Sequence, residues 1–388
     1  MSSLTLWLLL FVAIATGWLL GLWSARFGRR PNIDDEATLR ERLQFLFTNY
    51  SDEAIESFVE TLAVSGDTVN LHLSIGAHFR NKGEVDRATL IHQNLLARPE
   101  LPSRYSSQVT YELAMDYLAA GLLDRAESLL HELMGSRDYG RQAAQHLIEI
   151  YQQERDWEKA VQVAITLVEA EPSPLRRKQL AYLLCERAEK DLARDDRFTA
   201  RQRLTEALGY DPACIKALLL LADMHHHDNK PKDARLLLLS IFDQKPAFAP
   251  EAVKRLVKYA REQNSEAQLA KKLRKLYYST PSTSLLLAMV ELERRRQGDG
   301  PAIALLQQEL TSRPSLRGLL RLIEITGPEH QGSGTRDRLV SRVGEMLLQN
   351  KPVYQCTRCG FSGHQLHWLC PSCKTWESVE PVQGVDGE

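Results

Sequence analysis

Four cysteines near the end of the chain, Cys356, Cys359, Cys370 and Cys373, stand as two C-x-x-C pairs in the stretch YQCTRCGFSGHQLHWLCPSCKTW at 354–376. Each pair forms a knuckle that presents two thiolates to one ion. Four thiolates in tetrahedral S4 geometry suit zinc or a single iron. The spacing argues against four free thiols. Gly360 follows the first knuckle and Pro371 stiffens the second, both aids to a tight turn. His364 and His367 lie between the knuckles, but four sulfurs already complete a tetrahedron, so both read as loop residues. Tyr354, Phe361, Trp368 and Trp376 are expected to pack around the ion, since so short a module has little other core.

Such a unit could grip nucleic acid, carry an electron or dock. From Tyr354 to Glu388 there are two basic residues, Arg358 and Lys374, against four acidic ones, Glu377, Glu380, Asp386 and Glu388. Four thiolates around a divalent ion add a double negative charge, so a phosphate backbone would be repelled. The ligand set is compatible with electron transfer, but the ten-residue interval between knuckles encloses less of the site than a free-standing carrier wants. A small docking module that folds on its metal remains.

Elsewhere the chain offers little chemistry. It has no P-loop, G-x-S-x-G, H-E-x-x-H or dinucleotide fingerprint, so a non-enzymatic protein is expected. Cys185 and Cys214 stand apart in helical surroundings and read as small apolar core residues. His225, His226 and His227 are adjacent; helical neighbours point about 100° apart, so the three imidazoles cannot all face one ion, and a polar helix terminus is the better reading. Arg294, Arg295 and Arg296 read as a solvated basic helix end, with an acidic partner or lipid headgroups as the alternative. Asp195 and Asp196 fit a hairpin turn.

These groups must be held by larger elements. From about 37 to 350, apolar residues recur at three- and four-residue spacing, which predicts helix after helix. The stretch LSIGAHFRNKGEVDRATLIHQNLLARPE sets Gly76, Phe79, Gly83, Ala88 and Pro99 in an order repeated downstream. The next two units carry Ala114, Tyr117, Gly121 and Ala126, then Tyr151, Ala160, Ala164 and Pro172. Small residues descend the chain at Ala88, Ala126, Ala160, Ala200, Ala234 and Ala302, with Leu269 in the place between the last two. Prolines follow at Pro172, Pro212, Pro246, Pro281, Pro314 and Pro352, in steps of 33 to 40 residues, close to the ~34 of the tetratricopeptide repeat. A small side chain lets the two helices of a hairpin approach, and proline cannot continue the second. One hairpin cannot bury its own apolar face, so neighbours must stack. Eight or nine hairpins are expected, with Phe79, Tyr117 and Tyr151 in their cores, residues 37–66 as an earlier degenerate unit, and GPEHQGSG at 327–334 loosening the last hairpin. Arrays of this kind bind peptides or proteins in a groove lined by the first helix of each hairpin.

At the other end, Leu4 to Trp23 carry no charge, and twenty residues at ~1.5 Å rise cover the ~30 Å hydrocarbon layer. Trp7, Trp18 and Trp23 suit the interfacial belts, and Arg26, Arg29 and Arg30 follow, which places the remainder in the cytoplasm. A cleaved signal peptide would need a basic n-region, which Met1-Ser2-Ser3 lacks, so a retained anchor is expected. Gly17 and Gly21 give it a G-x-x-x-G face for pairing with another span. A reducing cytoplasm keeps thiols free for metal, in agreement. With 49 basic residues against 50 acidic, no global field draws the chain to nucleic acid.

The expected architecture is all-α: a transmembrane anchor (1–25), a juxtamembrane linker (26–36), a tetratricopeptide-repeat solenoid (37–350) and a small rubredoxin-like or zinc-ribbon metal module (351–388). In that order, and in FRNKGEVDRA at 79–88, AAGLLDRAE at 119–127 and YQCTRCGF…HWLCPSCKTW running into GVDG, the chain resembles the lipopolysaccharide assembly protein B (LapB/YciM) family over essentially its full length. The resemblance implies a single-pass inner-membrane protein, its bulk on the cytoplasmic side, that lowers lipid A synthesis. It implies partners: the membrane protease FtsH, to which the deacetylase LpxC is presented, the lipopolysaccharide sensor PbgA (YejM), and other synthesis proteins; a homo-oligomer is compatible with it. It also implies one tetrahedral metal on Cys356, Cys359, Cys370 and Cys373, iron by resemblance with zinc as the alternative. Relative to true rubredoxins, Lys374 stands where a glycine usually follows the second knuckle. A membrane-tethered electron carrier and a generic tetratricopeptide co-chaperone or assembly scaffold stay open as alternatives.

Overall fold

The computed structural model describes residues 51–66, 68–326 and 334–388. The expected anchor with its Gly17–Gly21 face, the linker, residues 37–50 and the loop 327–333 lie outside them. No helix among the described residues is long and apolar enough to cross a membrane.

The helices run α1 (Asp52–Thr61), α2 (Val69–Lys82), α3 (Val85–Ala97), α4 (Ser103–Ala119), α5 (Leu123–Leu133) and α6 (Gly140–Glu154). They continue as α7 (Trp157–Ala170), α8 (Pro174–Ala193), α9 (Arg197–Tyr210), α10 (Ile215–His227), α11 (Pro231–Gln244) and α12 (Ala249–Glu262). The last are α13 (Glu266–Ser279), α14 (Thr283–Gln297), α15 (Asp299–Ser312), α16 (Leu316–Thr326) and α17 (Gly334–Gln349). From α2 onward, even-numbered helices open hairpins and odd-numbered ones close them. The chain divides into two compact units between Ala143 and Ala144, inside α6.

A shared turn makes the hairpins. In six of them one of the two residues after the first helix is left-handed: Gly83, Gly121, Arg155, Asp195, Asn229 and Asn264 all have positive φ. The next N–H then reaches back five residues, as from Glu84 to Phe79 O (2.9 Å), Leu122 to Tyr117 O (2.9 Å) and Lys230 to His225 O (2.8 Å). This is the hydrogen bond of a Schellman cap, which satisfies a carbonyl that the helix end leaves open. Asp156 and Asp196 then cap the second helix, accepting from Lys159 and Thr199 N–H. The expected place of Asp195–Asp196 in a turn is what the structure has.

The alanine ladder lies wholly inside. Ala88, Ala126, Ala160, Ala200, Ala234 and Ala302 are fully buried on the second helices, and Leu269 is buried at the matching place in α13. Phe79, Tyr117 and Tyr151 are buried beside them. In the first unit, α2 to α4 also share a buried ionic knot. Arg80 pairs with Asp116 (2.7 Å) and Glu112 (2.6 Å), and His92 Nδ1 meets Asp116 at 2.5 Å.

In the second unit, α8, α10, α12, α14 and α16 pack each on the next, forming one layer of first helices. A continuous core runs from Ile215 to Ile325. Cys185 and Cys214 are core residues but do not stand apart: stacking of α8 on α10 brings their sulfurs to 3.7 Å. His225, His226 and His227 form the last turn of α10, where His226 stacks on Tyr259 with ring centroids 3.7 Å apart. Arg294, Arg295 and Arg296 end α14 and pair with Asp299, Glu291 and Glu293.

After α17 the chain changes character. Strands β1 (Tyr354–Cys356), β2 (Ser362–Gly363) and β3 (Val379–Pro381) form an antiparallel sheet in the order β2-β1-β3. Tyr354 pairs with Gly363 on one side and Pro381 on the other.

Candidate metal centre

The two knuckles are built alike. Gly360 N–H donates to Cys356 O and Lys374 N–H to Cys370 O, both at 3.0 Å. Cys356 N–H donates to Phe361 O (2.7 Å) and Cys370 N–H to Thr375 O (3.1 Å). Both residues after the knuckles are left-handed, Gly360 at φ 78° and Lys374 at φ 53°. Glycine takes that conformation freely, whereas a side chain costs roughly 1–2 kcal/mol. The lysine therefore keeps the geometry and carries the strain.

All four sulfurs lie within 4.8 Å of one another, and among the described residues they are the whole of the candidate ligand cluster. Cys356–Cys373 and Cys359–Cys370 are each 3.7 Å apart, two opposite edges of the figure. A metal–sulfur bond of ~2.3 Å gives a tetrahedral edge of about 3.8 Å, while a disulfide needs ~2.05 Å. The donor set thus fits one tetrahedral ion. Neither His364 nor His367 joins it; His367 sits edge-on to Phe361.

Hydroxyls surround the sulfurs. Burial works against the Cys356 thiolate, but Ser378, its Oγ 3.3 Å away, and the knuckle amides hold the pKa down to about 6. Thr375 lowers that of Cys373, with Oγ1 at 3.4 Å from the sulfur, and Arg358 donates to the same Oγ1 at 2.7 Å. Burial pushes Cys370 up to about 11. A cation among the sulfurs is what holds such a thiol ionised. These neighbours orient the ligands as outer-shell groups do at metal sites generally.

The expected aromatic packing holds for half of its members. Tyr354 and Phe361 pack with Cys356, Cys370 and Val379 inside the module. Trp368 and Trp376 turn to the helices instead. Trp376 stacks on Tyr182 of α8 (centroids 5.3 Å), and Trp368 on Phe248, just before α12 (5.8 Å). The small sheet cannot cover two indoles, and the layer of first helices can.

The acidic residues complete the contact. Buried Glu377 accepts from Tyr182 Oη and pairs with Lys178 (2.9 Å) and Lys245. Burial works against the Lys178 ammonium, yet Glu377 more than offsets it and raises its pKa. Tyr354 Oη donates to Glu251 at 2.6 Å. Glu388 accepts from Ser284 N–H (2.8 Å) and Oγ (2.6 Å) and pairs with Arg317 (2.6 Å). Leu316 N–H donates to Val385 O at 2.9 Å. The module is therefore keyed across the first half of α8 and the first turns of α12, α14 and α16. Sequence reasoning missed the receiving residues, which are distant and ordinary in type. The visible hint was two tryptophans in a module too small to bury them.

A family profile described as "Rubredoxin metal binding domain" matches residues 354–381. The chain is 30% identical over 390 residues to "Lipopolysaccharide assembly protein B" of Escherichia coli strain K12, covering 98% of this chain and 99% of that one. It is 31% identical to the protein of the same name from Haemophilus influenzae strain Rd, covering 98% of each. Among solved structures, a tetratricopeptide repeat protein from Parabacteroides merdae overlaps 72% of this chain and 100% of its own at 11% identity and a TM-score of 0.34, too loose to bear on function.

Proposed function

The chain belongs to the lipopolysaccharide assembly protein B family, and from that premise we propose that it is a non-enzymatic scaffold of lipopolysaccharide assembly, anchored in the inner membrane with its bulk in the cytoplasm. In this reading it lowers lipid A synthesis by presenting LpxC to FtsH, and it also meets PbgA (YejM) and other synthesis proteins. The observation that carries the reading is a family match along the whole chain, together with a metal module locked onto the helical array. A module fixed there serves as part of one binding platform, and its metal, iron or zinc on the four cysteines, supplies folding energy. Confinement to the membrane face would raise the effective concentration of a membrane protease's substrate.

Deleting residues 1–25 tests the reading in cells. The half-life of LpxC is expected to lengthen severalfold while the remainder folds; unchanged turnover overturns it. Co-purification from solubilised membranes, with protease and deacetylase both sought, separates it from a generic co-chaperone.

One feature favours a second reading, a tethered electron carrier: Cys359 is exposed, which leaves a ligand sulfur open to a redox partner. Reversible one-electron absorbance changes in the purified protein would support it, and a colourless zinc site would remove it.

A further inference from the structure

The terminal unit of a stacked array ordinarily turns a polar face outward, because nothing further packs on it. The last helix, α17, does not. Gly344 faces inward against Leu320 of α16. Beside it, along a flank of the helix centred about 100° round from Gly344, Leu339, Val340, Val343, Met346 and Leu347 are 60, 42, 56, 57 and 51% exposed. None of the described elements, the metal module included, covers them.

The order of these residues says what does. The stripe is symmetric about Val343: apolar side chains stand three and four positions before it and three and four after it. A helix with that pattern is complementary to itself run backwards. In an antiparallel pair with Val343 on the twofold axis, Val343 meets its own copy, Val340 meets Met346 and Leu339 meets Leu347. Arg342 of one helix then lies nearly level with Glu345 of the other. An isologous contact of this kind closes at two copies and leaves no face open.

We propose that α17 is a self-association helix through which two copies of this chain pair antiparallel about Val343. One helix pair buries less than the ~800 Å2 per partner of a standard interface, so the pairing weakens on dilution.

Cysteine cross-linking of the full chain, purified in detergent with its metal, tests both the pairing and its register. The unsubstituted chain is the control, since Cys185 and Cys214 are buried and the other cysteines form the metal centre. Val343→Cys is expected to give a covalent dimer on mild oxidation. Leu339→Cys alone should not, because its two copies lie about 12 Å apart along the pair at ~1.5 Å per residue; mixed with Leu347→Cys, it should. Val343→Glu should weaken the dimer at least tenfold by light scattering, and mixing it with Val343→Lys should restore it. The proposal is overturned if the thiol of Val343→Cys stays unlinked while a maleimide labels it, which means a bare surface. It is equally overturned if that thiol is neither linked nor labelled, which means another segment or partner covers it, or if Leu339→Cys links by itself.

Discussion

In the helical hairpins, order is distributed. Hairpin after hairpin sets a buried alanine, or once Leu269, on its second helix, six of them share a left-handed turn, and within each compact unit they pack on their neighbours. In the metal module, order is concentrated: three short strands and four buried or half-buried residues gather around one set of sulfurs. The hairpins can lose any one contact and stay folded, since stability sums over repeats. The module has one dominant contribution, and removing it removes the fold. The two regions meet where the module's acids and indoles sit on the array, so neither is independent of the other.

The strongest test of that contrast is Cys356→Ser. With one ligand gone, most of the ~10–16 kcal/mol that a structural zinc-type site supplies is lost. Residues 354–388 are expected to unfold, with Trp368 and Trp376 emission moving to the red, while far-ultraviolet ellipticity falls only slightly. A proportional loss of helical signal would mean instead that the module is a folding cap for the array.

Glu377→Gln separates folding of the module from its docking. It leaves Lys178 and Lys245 without their shared carboxylate, and breaking a buried pair costs ~3–5 kcal/mol. Both lysines are partly exposed, so screening reduces this to about 2–3 kcal/mol. Metal content should be unchanged, while proteolysis between α17 and β1 and the quenching of the two tryptophans both change. Loss of metal along with docking would show the two to be one event.

The smallest effect concerns one backbone angle. Lys374→Gly relieves left-handed strain but frees the unfolded chain, for a net gain of about 0.5 kcal/mol. The midpoint of metal loss to a competing chelator should rise slightly; a fall would place an energetic role on the lysine side chain.

Much of this was legible in the sequence because it is periodic or local. The alanine and proline ladders mark the hairpins, since close approach and helix termination each demand a residue type at a fixed interval. The hairpin turn was visible where glycine filled it, at Gly83 and Gly121, and where two aspartates marked it, at Asp195 and Asp196. Arg155, Asn229 and Asn264 hold the same conformation without advertising it. The cysteine spacing announced a metal knuckle because ligand geometry is short-range. What could not be read was contact between distant segments. Cys185 and Cys214 looked unrelated because stacking brings them together, and Trp368 and Trp376 looked like module core because their true partners are more than a hundred residues away. The acids of the module counted only as charge against phosphate until Lys178, Lys245 and Arg317 appeared opposite them.

The span of the docked module has a mechanical consequence. A bare repeat array behaves as a one-dimensional chain, in which a disturbance passes only from neighbour to neighbour and the ends fray first. Residues 354–388 touch α8 at one extreme and α16 at the other, so they act as a splint and close that line into a loop. Opening of α16 can be felt at α8 without passing through the hairpins between. Amide exchange across α8 to α16 should accordingly approach a single rate when the splint is seated, and grade from hairpin to hairpin when it is not.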